Sequence, residues 1–217
     1  MKQRIGIMGG TFDPIHIGHL VTAQEVFERF ALDSVIFMVA GKHPLKGDEV
    51  TDAHLRLQMV EIAIRDNPHF EVNDFEVQRD EVTYTIDTMR YLHQNYPPQT
   101  EFFFITGADA LFDIIEWKDA RELAGLTILV GATRPGYDIE KAKLRHECAG
   151  EHFDIRYLEV PALAVSSTDI RQRVRDGRDV RYLVTDGVAE FIKQHHLYQS
   201  IQGCCRYERE QKTPFEE

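Results

Sequence analysis

Arg4-Ile5-Gly6-Ile7-Met8-Gly9-Gly10-Thr11-Phe12-Asp13-Pro14-Ile15-His16-Ile17-Gly18-His19 is the stretch on which the fold turns. It begins with a short apolar run of strand length. From Gly18 onward Leu20, Ala23, Phe27, Phe30 and Ala31 recur at helical spacing. Two glycines and a proline lie between, so the segment reads as strand, tight loop, helix. Gly9 and Gly10 let backbone amides approach an anion closely because no Cβ intervenes, and Pro14 stiffens the loop. Gly18 sits where the helix begins and free N–H groups carry partial positive charge. His16 and His19 are three apart, a spacing that places both imidazoles on one side of a helical turn.

The same alternation continues outward. Strands are expected at Arg4–Met8, Ser34–Val39, Glu71–Phe75, Phe102–Thr106, Thr127–Val130 and Ile155–Val160. Between them lie helix-period sets: Leu55, Met59, Ile62 and Ala63, then Ile86, Met89, Tyr91 and Leu92. Near the end Val184, Val188, Phe191 and Ile192 mark another helix, with Asp186 as its expected cap. Strand–helix alternation implies right-handed crossovers. The expected fold is therefore α/β: a Rossmann-like, doubly wound, mostly parallel sheet with helices on both faces. Such a sheet binds ligands beyond the C-terminal ends of its strands. One domain over residues 1–200 is expected, followed by a charged tail, 201–217.

Composition narrows the function. With 36 Asp and Glu against 25 Lys and Arg, the chain carries a formal charge of −11. That disfavours general nucleic-acid binding, which needs clustered basic residues. No apolar run approaches the ~18 residues of a membrane span. The start of the chain enters a strand almost at once, so no leader is expected. Cys148, Cys204 and Cys205 form no disulfide framework and fit a reducing cytoplasm. No metal ligand set is expected: a His pair lacks a third ligand nearby.

A second segment has the same logic. Val165-Ser166-Ser167-Thr168-Asp169-Ile170-Arg171 follows an expected strand and opens a helix that Asp176-Gly177 ends. Ser and Thr are good N-caps, and their hydroxyls with free N–H groups suit an anion. Arg171 lies one turn in. Read alone, this is a capping motif; beside the first segment it is a second phosphate wall.

Gly9-Gly10-Thr11-Phe12-Asp13-Pro14-Ile15-His16-Ile17-Gly18-His19 resembles the nucleotide-binding motif of the HxGH nucleotidyltransferase superfamily. The Ser166–Arg171 segment resembles its second signature. From Lys2 to Tyr198 the chain is similar to bacterial nicotinate mononucleotide adenylyltransferases. Arg56-Leu57-Gln58-Met59, Thr83-Tyr84-Thr85-Ile86-Asp87-Thr88, Gly107-Ala108-Asp109 with Trp117-Lys118, and Arg134-Pro135-Gly136 carry that likeness.

The resemblance implies adenylyl transfer from ATP to nicotinate mononucleotide by direct attack on the α-phosphorus. His16, His19, Lys46 and Arg171 would be catalytic. ATP would meet Gly9, Gly10, Thr11, Phe12, His16, Gly18, His19, Gly107, Asp109, Arg134, Ser166, Ser167, Thr168 and Arg171. The acceptor would meet Asp13, Lys46, Tyr84, Thr85, Trp117 and Lys118. Mg²⁺ would arrive with ATP and take few protein ligands, and a homodimer would fit the family. One departure stands out: Leu45 replaces the family's His in Lys42-His43-Pro44-Leu45-Lys46. Two enzymatic alternatives remain, a nicotinamide mononucleotide or a phosphopantetheine adenylyltransferase; His16 counts against the latter, which usually has Thr there. A catalytically inactive nucleotide-binding module is the third.

Overall fold

A computed structural model describes residues 2–42, 50–134, 136–139, 153–161 and 163–199. Six strands form one wholly parallel sheet: β1 (Arg4–Gly10), β2 (Ser34–Val39), β3 (Phe70–Asn73), β4 (Glu101–Gly107), β5 (Ile128–Thr133) and β6 (Ile155–Glu159). Their order is β3-β2-β1-β4-β5-β6. The chain winds outward from β1 one way and then restarts at β4 the other way. The crevice between β1 and β4 is therefore the switch point of the sheet, where ligands of such folds bind. The expected α/β class holds, and the sheet is parallel throughout.

Seven α-helices and a short 3₁₀ helix (Ile114–Glu116) accompany the strands among the described residues, the α-helices being α1 (Ile17–Arg29), α2 (Ala53–Ile64), α3 (Thr85–Asn95), α4 (Ala108–Phe112), α5 (Ala120–Leu126), α6 (Ser167–Arg175) and α7 (Asp186–Gln194). The strands explain why helices cover both faces. Alternate residues of a strand point to opposite sides. In β2, Val35, Phe37 and Val39 join one core with Ala23 and Val26 of α1, Met59 and Val60 of α2, Ile170 of α6 and Val188 of α7. Ile36 and Met38 join the other, with Ile86 and Met89 of α3, Leu111 of α4 and Leu123 of α5. Strand β4 divides the same way, Phe103 and Ile105 against Phe102 and Phe104. A strand buried on both sides reads as a continuous apolar run, as Ser34–Val39 does.

Boundaries moved at several elements. Strand β3 begins at Phe70 and stops at Asn73, two residues before the expected end, because the Asn73 side chain turns to accept from the Phe75 amide. The cap of α7 is Thr185, with Asp186 the first helical residue rather than the cap. Strand β5 runs to Thr133, and α6 ends at Arg175 with Gly177 at φ 69°, as the Asp176-Gly177 stop implies. Glycine permits one close helix contact: a Cβ at Gly187 of α7 would lie 2.6 Å from Ile62 Cγ2 of α2. The tail 201–217, the loop residues 43–49 and all three cysteines lie outside the described residues. No helix of the described residues is long and apolar enough to cross a membrane.

Candidate active site

The loop after β1 is held from three sides. Phe12 takes φ 49°, an uncommon conformation for a bulky residue. Its ring lies over Gly10, where a Cβ would come within 2.9 Å of it, and it packs edge-on against His19 at 5.1 Å. Gly10 thus leaves room for the ring that braces His19. Phe12 itself is buried and stands behind the site.

His16 is the N-cap of α1, in extended conformation at φ −146°, ψ 169°. Its ring therefore does not follow the helical turn expected from the i, i+3 spacing. It stacks instead on the His19 ring, centroids 3.7 Å apart and planes 19° from parallel. Gly18 makes that possible: a Cβ there would meet the His16 ring at 3.0 Å. The His16 backbone N–H donates to Nδ1 of His19 at 3.2 Å. A nitrogen that accepts has no proton, so neutral His19 carries its hydrogen on Nε2. Burial pushes His16 down to about 4 and, together with its neighbour His16, pushes His19 down to about 3. Both rings are neutral at pH 7, each with one N–H to offer.

The segment opening α6 is tied to this loop. Ser167 Oγ donates to the Pro14 carbonyl at 2.8 Å, and Arg171 Nη1 donates to the Asp13 carbonyl at 2.7 Å. Ser166 caps α6, its Oγ accepting from the Asp169 N–H at 3.1 Å. Two segments 153 residues apart in sequence at their Ser167–Pro14 contact are thereby joined by side-chain to backbone bonds.

A cavity of about 530 Å³ opens at the switch point. It is lined by Gly9, His16, Gly18 and His19 on one side, by Gly107, Asp109 and Arg134 on another, and by Ser166 and Ser167. The structure brings those nine nominated residues together around one cavity. Gly107 faces open space. Gly10, Thr11, Phe12, Thr168 and Arg171 lie behind or beside the wall. In this structure Arg171 is occupied by Asp13 and by Thr168 Oγ1 at 3.4 Å. Asp13 is only 4% exposed, and its carboxylate is taken by Tyr198, Thr51 and Arg171. It organises the loop and does not line the cavity.

The acceptor-side residues form a separate group. Tyr84 caps α3 and is exposed, with the Lys118 ammonium 4.5 Å above its ring. Lys118 also pairs with Asp87 at 3.5 Å, and Asp87 accepts from the Tyr84 N–H. Thr85 is the first residue of α3. Trp117 is half-buried, lines a different recess of about 410 Å³, and meets Phe104 edge-on at 6.1 Å. Phe104 in turn lies 3.3 Å from where a Cβ on Gly9 would be. One aromatic ring thus separates Trp117 from the end of β1 at Gly9. Lys46 and His43 lie outside the described residues, as does Pro135. No cluster of three or more His, Cys, Asp or Glu suited to a metal occurs among the described residues.

Sequence reasoning missed the role of Arg56. Its side chain is 2% exposed and donates to three carbonyls: Thr51 at 2.8 Å, Thr11 at 2.6 Å and Gly41 at 3.0 Å. A basic residue on the apolar face shared with Met59 and Val60 was the available signal. It also missed Tyr137, which lines the cavity and donates to the Ala108 carbonyl at 3.0 Å, and Tyr198.

A family model described as cytidylyltransferase-like matches residues 7–173. A protein of Clavibacter michiganensis subsp. michiganensis named "Probable nicotinate-nucleotide adenylyltransferase" is 51% identical over 201 residues, 93% of this chain and 96% of its own. One of the same name from Moorella thermoacetica is 46% identical over 199 residues, covering 90% and 91%. The solved structure of Plasmodium falciparum nicotinic acid mononucleotide adenylyltransferase complexed with NaAD superposes with a TM-score of 0.75 at 21% identity, covering 90% of this chain and 97% of that one; it shares the fold. The chain belongs to the cytidylyltransferase-like family and, within it, to the nicotinate-nucleotide adenylyltransferases.

Two measurements check this geometry. Arg56→Lys replaces a fork that spans three carbonyls with a point donor, so one or two charge-assisted bonds are lost, at about 2–4 kcal/mol in urea denaturation. Unchanged stability would refute the clamp. Because folding lowers both histidine pKa values below 6.5, the unfolded chain binds more protons under pH 6.5, and stability falls as pH drops from there toward 4. A His16→Gln/His19→Gln variant, unable to take up those protons, loses less stability than the parent between pH 7.5 and 5.

Proposed function

We propose that the chain transfers the adenylyl group of ATP to nicotinate mononucleotide, giving nicotinate adenine dinucleotide and pyrophosphate in NAD biosynthesis. The observation that carries this reading is the stacked, neutral His16–His19 pair at the start of α1, facing a cavity that runs to Asp109, Arg134 and Ser166. The names of the relatives support the acceptor.

The acceptor phosphate is already an anion and needs no general base. It attacks the α-phosphorus in line; the bond to the bridging oxygen breaks and pyrophosphate leaves. Catalysis then consists of positioning and of donors aimed where charge develops. His19 offers Nε2–H to the α-phosphoryl oxygens and His16 its free N–H to the departing phosphates. The amides near Gly9 and Gly10 and the hydroxyls of Ser166 and Ser167 take the remaining oxygens, with Arg171 and Lys46 supplying charge. Gly107 admits the nucleoside, which Asp109 and Arg134 flank. Mg²⁺ neutralises the phosphates of ATP when bound. Asp109 is the single carboxylate lining the described cavity, which suits an ion held chiefly by phosphate and water.

On the acceptor side Trp117 stacks on the pyridinium ring. Donors near Thr85 and Lys118 receive its carboxylate; an amide there would set NH₂ against N–H, a mismatch that gives strong selectivity.

The test is pyrophosphate release from ATP with nicotinate mononucleotide, with nicotinamide mononucleotide and phosphopantetheine as competing acceptors. The acid mononucleotide gives the highest kcat/KM, and His19→Ala lowers kcat by about 10²–10³, the scale of one lost transition-state donor. Failure of the parent protein to release pyrophosphate with any of the three acceptors would instead identify a nucleotide-binding module. Near-normal turnover in the variant would remove His19 from the chemistry.

A further inference from the structure

Asp13 and Pro14 before His16, and Ile17 after it, are gripped by the last third of the chain. Ser167 Oγ holds the Pro14 carbonyl, and the Ile17 N–H donates to the Leu183 carbonyl at 2.9 Å. Tyr198 Oη donates to Asp13 Oδ1 at 2.7 Å across 185 residues of sequence. Leu183 lies just before α7 and Tyr198 four residues after it, so α7 is bracketed by two bonds to the histidine loop.

We propose that Tyr198 is a positioning residue for the reaction: its hydroxyl fixes the Asp13 carboxylate and thereby the backbone that carries His16 and stacks it on His19. The argument rests on the proposed function for its kinetic part alone.

Three features support it. Asp13 is nearly inaccessible, so a lost donor there is not replaced by water as it would be at the surface. The carboxylate ties three separate segments to the loop: Oδ1 takes Tyr198, while Oδ2 takes the Thr51 N–H at 3.4 Å and faces Arg171 Nη1 at 3.9 Å. The backbone of Tyr198 is also left-handed at φ 62°, and His196 before it at φ 52°. A non-glycine residue persists there only where its surroundings over-determine it. Burial, then the Asp13 charge, hold the phenol well above its usual range, so it remains a donor at every working pH.

Tyr198→Phe keeps the ring and its packing and removes the hydroxyl, with its bond to Asp13 and its contact with Thr51. The expected result is a fall in kcat of about tenfold to a hundredfold, the size of one charge-assisted hydrogen bond, with KM for ATP within about twofold. The ring resonances of His16 and His19 move in ¹⁵N NMR spectra of the ligand-free variant, while those of His93, which meets Phe102 edge-on on the other face of the sheet, do not. The losses from Tyr198→Phe and Asp13→Asn are less than additive in the double variant. Unchanged kcat with unchanged histidine resonances overturns the proposal. So does a loss in which KM and His93 change alongside, which marks general loosening. The NMR arm stands even if the parent protein fails to turn over these substrates, so the two failures are distinguishable. If Tyr198→Phe does not fold, Asp13→Asn reads the same contact from its other end.

Discussion

The guanidinium of Arg56 is the interaction on which the site's architecture depends. It is buried, and burying a cation is costly unless its donors are matched. Three backbone carbonyls meet it, one from the loop after β1, one from the loop after β2 and one from the residue leading into α2. Asp13, Asp52 and Glu76 offset its charge from nearby. Gly41, which supplies one carbonyl, lies so close to the Glu76 carbonyl oxygen that a Cβ would run into it. The loops at the C-terminal ends of β1 and β2 are thus drawn onto one planar fork. Without it, those carbonyls would have to find water in a packed interior.

From that fork the arrangement propagates outward by short, directional bonds. The β1 loop, held at Thr11, turns through Phe12 into Asp13 and Pro14, where Tyr198, Arg171 and Ser167 take hold. His16 then arrives as an extended cap, and its N–H selects the tautomer of His19. Two imidazoles that would repel each other as cations can stack because burial keeps both neutral. The site is preorganised by contacts from β1, α2, α6 and the segment around α7, which explains why so few of its residues are adjacent in sequence.

Much of the site was legible. The Gly9–His19 and Ser166–Arg171 segments were legible as strand–loop–helix junctions, and six of their residues line one cavity with Gly107, Asp109 and Arg134 of the Gly-Ala-Asp and Arg-Pro-Gly elements. Other nominations rested on residue type without partner information. Asp13 and Arg171 were nominated as substrate contacts, and in this structure each bonds to the protein itself. Trp117 was legible as a semi-exposed aromatic, but its distance from the loop is set by Phe104 across β4. Strand ends moved by a few residues because side chains such as Asn73 end a ladder that apolar pattern alone would extend.

Local pattern determined what is local or periodic. Alternating apolar runs and helix-period segments made the sheet parallel and doubly wound, and the two glycine-, serine- and histidine-bearing junctions named the chemistry. The tertiary structure alone decided which distant groups meet: Arg56 with three carbonyls, Tyr198 with Asp13, and the His16 ring with the His19 ring. Those choices depend on desolvation and on donor–acceptor distances between elements far apart in the chain. Such quantities come into being only when the core closes, and no spacing in the sequence encodes them.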